Sequence, residues 1–140
     1  MYKVINPLDY IRLASDIARL SPCIKRQFGA VLVKNGVIVA TGFNRPVTGE
    51  EGYCDNGKCR EDRCNMIHAE MSAILEAKRE DRQGAELYLA GRENGRPLPN
   101  VTPCILCSRV IKNEGITRII TYYGAVDITN EVSDELAEPS

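Results

Sequence analysis

Residues 29–44, GAVLVKNGVIVATGFN, constrain what this 140-residue chain can fold into more than any other stretch. Two runs rich in valine and isoleucine are joined by Asn35-Gly36, the dipeptide preferred for a tight two-residue hairpin turn. They predict two antiparallel strands, and the rest of the chain must supply elements that cover them. Upstream, Asn6-Pro7 offers a cap and a first-turn proline, after which Leu8, Ile11, Ala14, Ile17 and Ala18 recur at helical spacing, with an end expected near Ser21-Pro22. Downstream, strong helix formers run from His68 to about Glu80, residues 85–90 alternate as a strand, and 103–114 read as a helix with Pro103 at its start and Gly115 past its end. Residues 116–123 read as a fourth strand. Between the hairpin and the second helix, 45–65 is polar and cysteine-bearing without a period, a long loop of the kind that is functional or tied down. A short helix near 130–136 precedes a polar, frayed end. This order predicts an α/β protein, a mixed sheet covered by helices whose last strands are joined by a helical crossover.

The length fits one domain, 1–140, with a core of its own. With 18 Lys+Arg against 19 Asp+Glu, the chain has no global basic field to draw it onto nucleic acid or anionic lipid, and a small or locally recognised partner is favoured. The first twenty residues have neither a signal-peptide core nor an apolar span, so no membrane association and a cytoplasmic location are expected. In such a compartment six cysteines point to metal binding or catalysis rather than disulfides.

His68, the single histidine, opens the second helix in NMIHAEMSAI, and Cys104 and Cys107 open the third in PCILC. Two cysteines separated by two residues can present both sulfurs to one ion, and a helix N-terminus favours thiolate. One imidazole and two thiolates make three ligands and leave a fourth position for water, the arrangement of a catalytic zinc. Glu70, two residues beyond a ligand, is placed to take a proton from that water and pass it to a leaving nitrogen. Taken singly, such a histidine is more often an ordinary packed residue, and a C-x-x-C pair can be a redox pair or two buried thiols. Taken together, H-x-E followed by P-C-x-x-C is the signature of zinc nucleobase deaminases.

On these motifs, and on CIKRQFGAVLVKNGVIVATGFN and TPCILCSRVIKNEGITRIITY, the chain resembles the cytidine and deoxycytidylate deaminase superfamily over about residues 5–125, and the deoxycytidylate deaminases most closely; 126–140 form a tail. The resemblance implies a three-layer α/β/α cytidine-deaminase-like fold and zinc-dependent hydrolytic deamination at C4 of cytosine. The implied reaction is dCMP to dUMP plus ammonia, with Glu70 as proton carrier. It implies contacts to base and sugar from Asn44 and the Ala69 backbone, and to the phosphate from Lys25, Arg26 and Arg118. A homo-oligomer, often a hexamer, is implied as well, and Tyr122 and Tyr123 belong either to its contacts or to the core. The chain departs from the family pattern at Arg45, where a glycine is common, and at Ser72, where an asparagine is common, which bears on base or phosphate recognition. Cys54, Cys59 and Cys64, evenly spaced in the loop, could with Cys23 close a second, structural zinc site. Two alternatives remain: a tRNA adenosine deaminase with the same core motifs, and a zinc-stabilised binding module, which needs a fourth protein ligand where the deaminase needs an open one.

Overall fold

A computed structural model describes residues 6–51, 64–98 and 101–128. Helix α1 (Pro7–Ala18) starts as its sequence predicts: the Asn6 side chain accepts from the backbone N–H groups of Leu8 and Asp9. It stops before Ser21-Pro22 because the N–H groups of Arg19, Leu20 and Ser21 reach back three residues instead of four, tightening the chain into a turn. The hairpin follows as β1 (Arg26–Lys34) and β2 (Val37–Phe43), with Asn35 and Gly36 at φ 52° and 78° in the left-handed region. Short strands β3 (Arg45–Pro46) and β4 (Met66–Ile67) pair with each other and clasp the two ends of the long loop.

The helix expected from His68 to Glu80 is two helices, α2 (Ala69–Glu76) and α3 (Arg79–Arg82), separated by a buried, extended Ala77. The break is a tertiary effect. The Ala77 carbonyl, which a continuous helix would have used internally, accepts from the Arg82 guanidinium, which also pairs with Glu114 at 3.1 Å. Strand β5 (Glu86–Glu93) and the two-residue β6 (Arg96–Pro97) come next, then α4 (Ile105–Asn113), β7 (Arg118–Thr121) and β8 (Gly124–Asp127). The predicted strand over 116–123 is therefore shorter. The Thr121 hydroxyl accepts the Tyr123 N–H, turning the chain at Tyr122-Tyr123 into β8, an antiparallel strand absent from the sequence reading. Both tyrosines are exposed. The helix expected near 130–136 lies outside the described residues.

The main sheet runs β2-β1-β5-β7-β8, mixed as expected: β5 and β7 are parallel across the α4 crossover, and the other neighbours are antiparallel. Alternation sorts the central strands onto two buried faces. Ala30, Leu32, Leu87 and Leu89 pack with Ile74 of α2 and Ile111 of α4, while Val31, Val33, Tyr88 and Ala90 pack with Tyr10, Ile11 and Ala14 of α1. Helices on both faces of one sheet make the three-layer α/β/α fold. Among the described residues no helix is long and apolar enough to cross a membrane.

The α1 face carries a measurable consequence. Tyr88 is 3% exposed, its ring lies 4.7 Å from that of Tyr10, and its hydroxyl donates to Glu86. Burial, reinforced by the Glu86 charge, pushes the phenol up to about 12. An unfolded tyrosine ionises near 10, so the stability this group contributes is fully present below pH ~10 and is lost as the pH rises towards 12. Urea unfolding at pH 9 and pH 11.5 should show a loss about 2 kcal/mol larger in the native protein than in Tyr88→Phe. Parallel losses in the two proteins would refute the assignment.

Candidate active site

His68 is the N-cap of α2 and Cys104 the N-cap of α4, so two helix starts on the same face of the sheet converge. The imidazole makes no capping hydrogen bond and is left for other work. Its Nδ1 lies 3.6 Å from Cys104 Sγ and 3.4 Å from Cys107 Sγ. A tetrahedral zinc with ordinary Zn–S and Zn–N bonds has N···S edges of about 3.5–3.6 Å, so the donor set fits that ion as it stands. His68, Cys104 and Cys107 form a three-ligand group, and among the described residues no fourth histidine, cysteine or carboxylate joins it. Two of the three, His68 and Cys104, face solvent, which is where an open coordination position belongs.

Cys107 stands in the first turn of α4, where the helix dipole favours thiolate, yet burial and the nearby Glu70 charge push its thiol well up. Desolvation outweighs the dipole here.

Glu70, in the first turn of α2, is 5% exposed. Burial raises its carboxyl above the usual carboxylate range, although a backbone hydrogen bond and His68 pull the other way. It lines a cavity of about 410 Å³ together with His68 and Cys104. A buried carboxyl with a raised affinity for protons, next to a three-ligand metal group, is suited to proton carriage.

The same cavity brings in Lys25, Arg26 and Asn44. Asn44 is 6% exposed and already occupied: its Oδ1 accepts the Phe28 N–H at 2.8 Å and its Nδ2 donates to the Arg26 carbonyl at 3.0 Å. Ala69 is fully buried at the start of α2 and is not among the lining residues. Nor is Arg118. It pairs with Glu86 at 2.7 Å where β7 meets the start of β5, and the cavity-lining Arg26 sits opposite Glu93 at the other end of β5, about 23 Å away at ~3.3 Å per residue. The structure thus separates two arginines that sequence reasoning had grouped. Cys23 and Cys64 also line the cavity, while Cys54 and Cys59 lie outside the described residues.

Sequence reasoning missed the apolar walls, Phe28, Met66, Leu89 and Val101, together with Thr102. Of these, only Leu89 had a signal, as an inward position of the strand predicted over 85–90; Phe28 lies just ahead of the predicted hairpin, which β1 extends back to Arg26. The two departures from the family pattern turn out to touch: Arg45 Nε donates to the buried Ser72 hydroxyl at 3.3 Å. Neither lines the cavity; both border a separate groove between β2 and α2.

Comparison with known proteins agrees with this geometry. The family model described as the cytidine and deoxycytidylate deaminase zinc-binding region matches residues 6–123. The deoxycytidylate deaminase of Schizosaccharomyces pombe is 34% identical over 124 residues, covering 79% of this chain and 35% of that protein, and the Saccharomyces cerevisiae enzyme is 35% identical with the same coverage. The chain thus spans about a third of the length of these yeast relatives. The deoxycytidylate deaminase of Mycobacterium phage D29 is 32% identical, covering 79% of this chain and 89% of that one. Among solved structures, the dCMP deaminase of cyanophage S-TIM5, determined with dCMP and dUMP, superposes with a TM-score of 0.64 at 24% identity, over 84% of this chain and 83% of that one. A cytidine deaminase from Mycobacterium leprae gives 0.58 at 18% identity, over 96% and 100%. These two likenesses concern the fold, which they share with the three-layer sheet described above. With its His68, Cys104 and Cys107 group on that fold, the chain belongs to the cytidine and deoxycytidylate deaminase family.

Proposed function

We propose that this chain deaminates a cytosine nucleotide by hydrolysis, converting dCMP to dUMP and ammonia. The observation that carries the reading is the convergence, at one cavity, of the zinc-ligand group, the buried carboxyl of Glu70 and the cationic side chains Lys25 and Arg26. The names of the curated relatives and the dCMP and dUMP in the cyanophage structure support the choice of substrate. His68, Cys104 and Cys107 hold zinc, which when bound acidifies water for attack at neutral pH. Glu70 takes the proton given up in that attack and delivers it to the departing amino nitrogen. The apolar walls formed by Phe28, Leu89 and Val101 receive the base and keep bulk water from it. Asn44, which lines the cavity, has a second Nδ2 hydrogen beyond the one given to the Arg26 carbonyl and directs it to the base or sugar. Lys25 and Arg26 neutralise the phosphate, Arg26 with the planar fork that suits it.

The test is ultraviolet absorbance with cytidine, deoxycytidine, dCMP and dCTP, with metal content measured on the same sample. Turnover that strongly favours dCMP, with zinc bound, is expected. A second zinc held by Cys23, Cys54, Cys59 and Cys64 belongs to the same proposal and would double the metal content. Zinc-loaded protein inert towards every cytosine compound, or active on adenosine in tRNA, would refute the substrate.

A further inference from the structure

We infer that Glu93, outside the cavity, is a positioning residue that holds the Arg26 guanidinium at the cavity mouth and so sets the preference for a phosphorylated nucleotide over the bare nucleoside. The inference rests on the function proposed above.

Arg26 and Glu93 are direct partners in the antiparallel β1–β5 register. The Arg26 backbone is fixed from both sides, its N–H on Cys23 Sγ at 3.4 Å and its carbonyl on the buried Asn44 amide. The side chain itself is long, with several torsions whose freedom is lost on meeting a phosphate. Glu93 Oε1 accepts from Nε at 2.7 Å. Nε sits at the base of the fork, so this short charge-assisted bond orients the guanidinium plane before any ligand arrives.

The placement of the carboxylate matters equally. Arg26 lines the catalytic cavity and Glu93 does not; Glu93 borders a separate groove beside β6. The carboxylate therefore steers the arginine from behind without standing where the phosphate must sit. Stability is a poor explanation for the pair, because both side chains are well exposed, at 53% and 36%, and such pairs contribute little to folding. The Arg118–Glu86 pair, also cross-strand and also 2.7 Å, faces no part of this cavity and serves as a matched control.

The experiment measures kcat and KM for dCMP and deoxycytidine in the zinc-loaded native protein and in Glu93→Gln, Glu93→Asp, Arg26→Ala, the Glu93→Gln/Arg26→Ala double variant and Glu86→Gln. Glu93→Gln should lower the ratio of kcat/KM for dCMP over deoxycytidine about fivefold, the range expected for an exposed pair, through KM for dCMP. Glu93→Asp should recover part of it. Adding Glu93→Gln to Arg26→Ala should change the ratio no further, and Glu86→Gln should leave it where it is. An unchanged ratio in Glu93→Gln overturns the inference, as does a raised one, which would mean that the carboxylate competes with phosphate. An equal further drop in the Arg26→Ala background overturns it too. Native protein with no preference for dCMP would refute the substrate proposal itself, and this inference with it.

Discussion

Replacing Glu70 with glutamine should cut kcat by about 10²–10⁴-fold, the usual worth of a positioned general acid–base group, while the protein keeps its zinc. Glutamine matches glutamate in shape, so the cavity wall is preserved, but a carboxamide cannot accept and return a proton. Folding should not suffer. Burial already penalises the charged carboxylate at this position, and a neutral amide removes that penalty, so Tm is expected to stay level or rise. KM should change little, because the side chain acts on the proton and not on the sugar or phosphate. Metal analysis gives the decisive contrast. Zinc retained with turnover lost fits a proton carrier, whereas zinc lost along with turnover would make Glu70 a ligand and remove the proposed division of labour among His68, Glu70 and the two cysteines.

The His68, Cys104 and Cys107 group was legible in the sequence because each part is tied to a strong local signal. His68 and Cys104 both precede helices that the sequence marks clearly, and imidazole, thiolate and carboxylate have few other reasons to occur in that order. The hairpin was legible for a comparable reason, since Asn35-Gly36 permits little besides a tight turn. What could not be read depended on particular side-chain hydrogen bonds and strand pairings that leave no mark on the local pattern. The helix break at Ala77 is decided by Arg82 and Glu114, and nothing between His68 and Glu80 announces it. Tyr122 and Tyr123 favour a strand by composition, but a hydrogen bond to Thr121 turns them. Arg26 and Arg118 carry identical chemistry, and only the pairing of β1 with the end of β5 and of β7 with its beginning places one at the cavity and the other far from it. The contact between Arg45 and Ser72 was invisible for the same reason, because 27 residues separate them.

Two glycines offer the sharpest test of how packing fixes the metal centre, since each lies where a helix meets the sheet with no space for a side chain. A Cβ on Gly42 would overlap the backbone of Ala69 and Ala73 in α2, and a Cβ on Gly29 would overlap the backbone of Ala14 and Ala18 in α1. Backbone cannot swing aside as a side chain can, so Gly42→Ala and Gly29→Ala should each destabilise by about 2–4 kcal/mol, lowering Tm by roughly 10 °C. The two should part over zinc. Relieving the Gly42 overlap means lifting α2, whose N-cap is His68 and whose first turn holds Glu70, whereas relieving the Gly29 overlap shifts α1, which carries no ligand. A ligand displaced by even a few tenths of an ångström departs from the tolerance of a tetrahedral site, so Gly42→Ala should release zinc to a competing chelator more than tenfold faster than the native protein. Gly29→Ala, equally destabilised, should hold zinc as the native protein does. Should both variants lose zinc in proportion to their loss of Tm, the metal would be reporting global stability, and the idea that α2 docking on Gly42 sets the ligand geometry would fail.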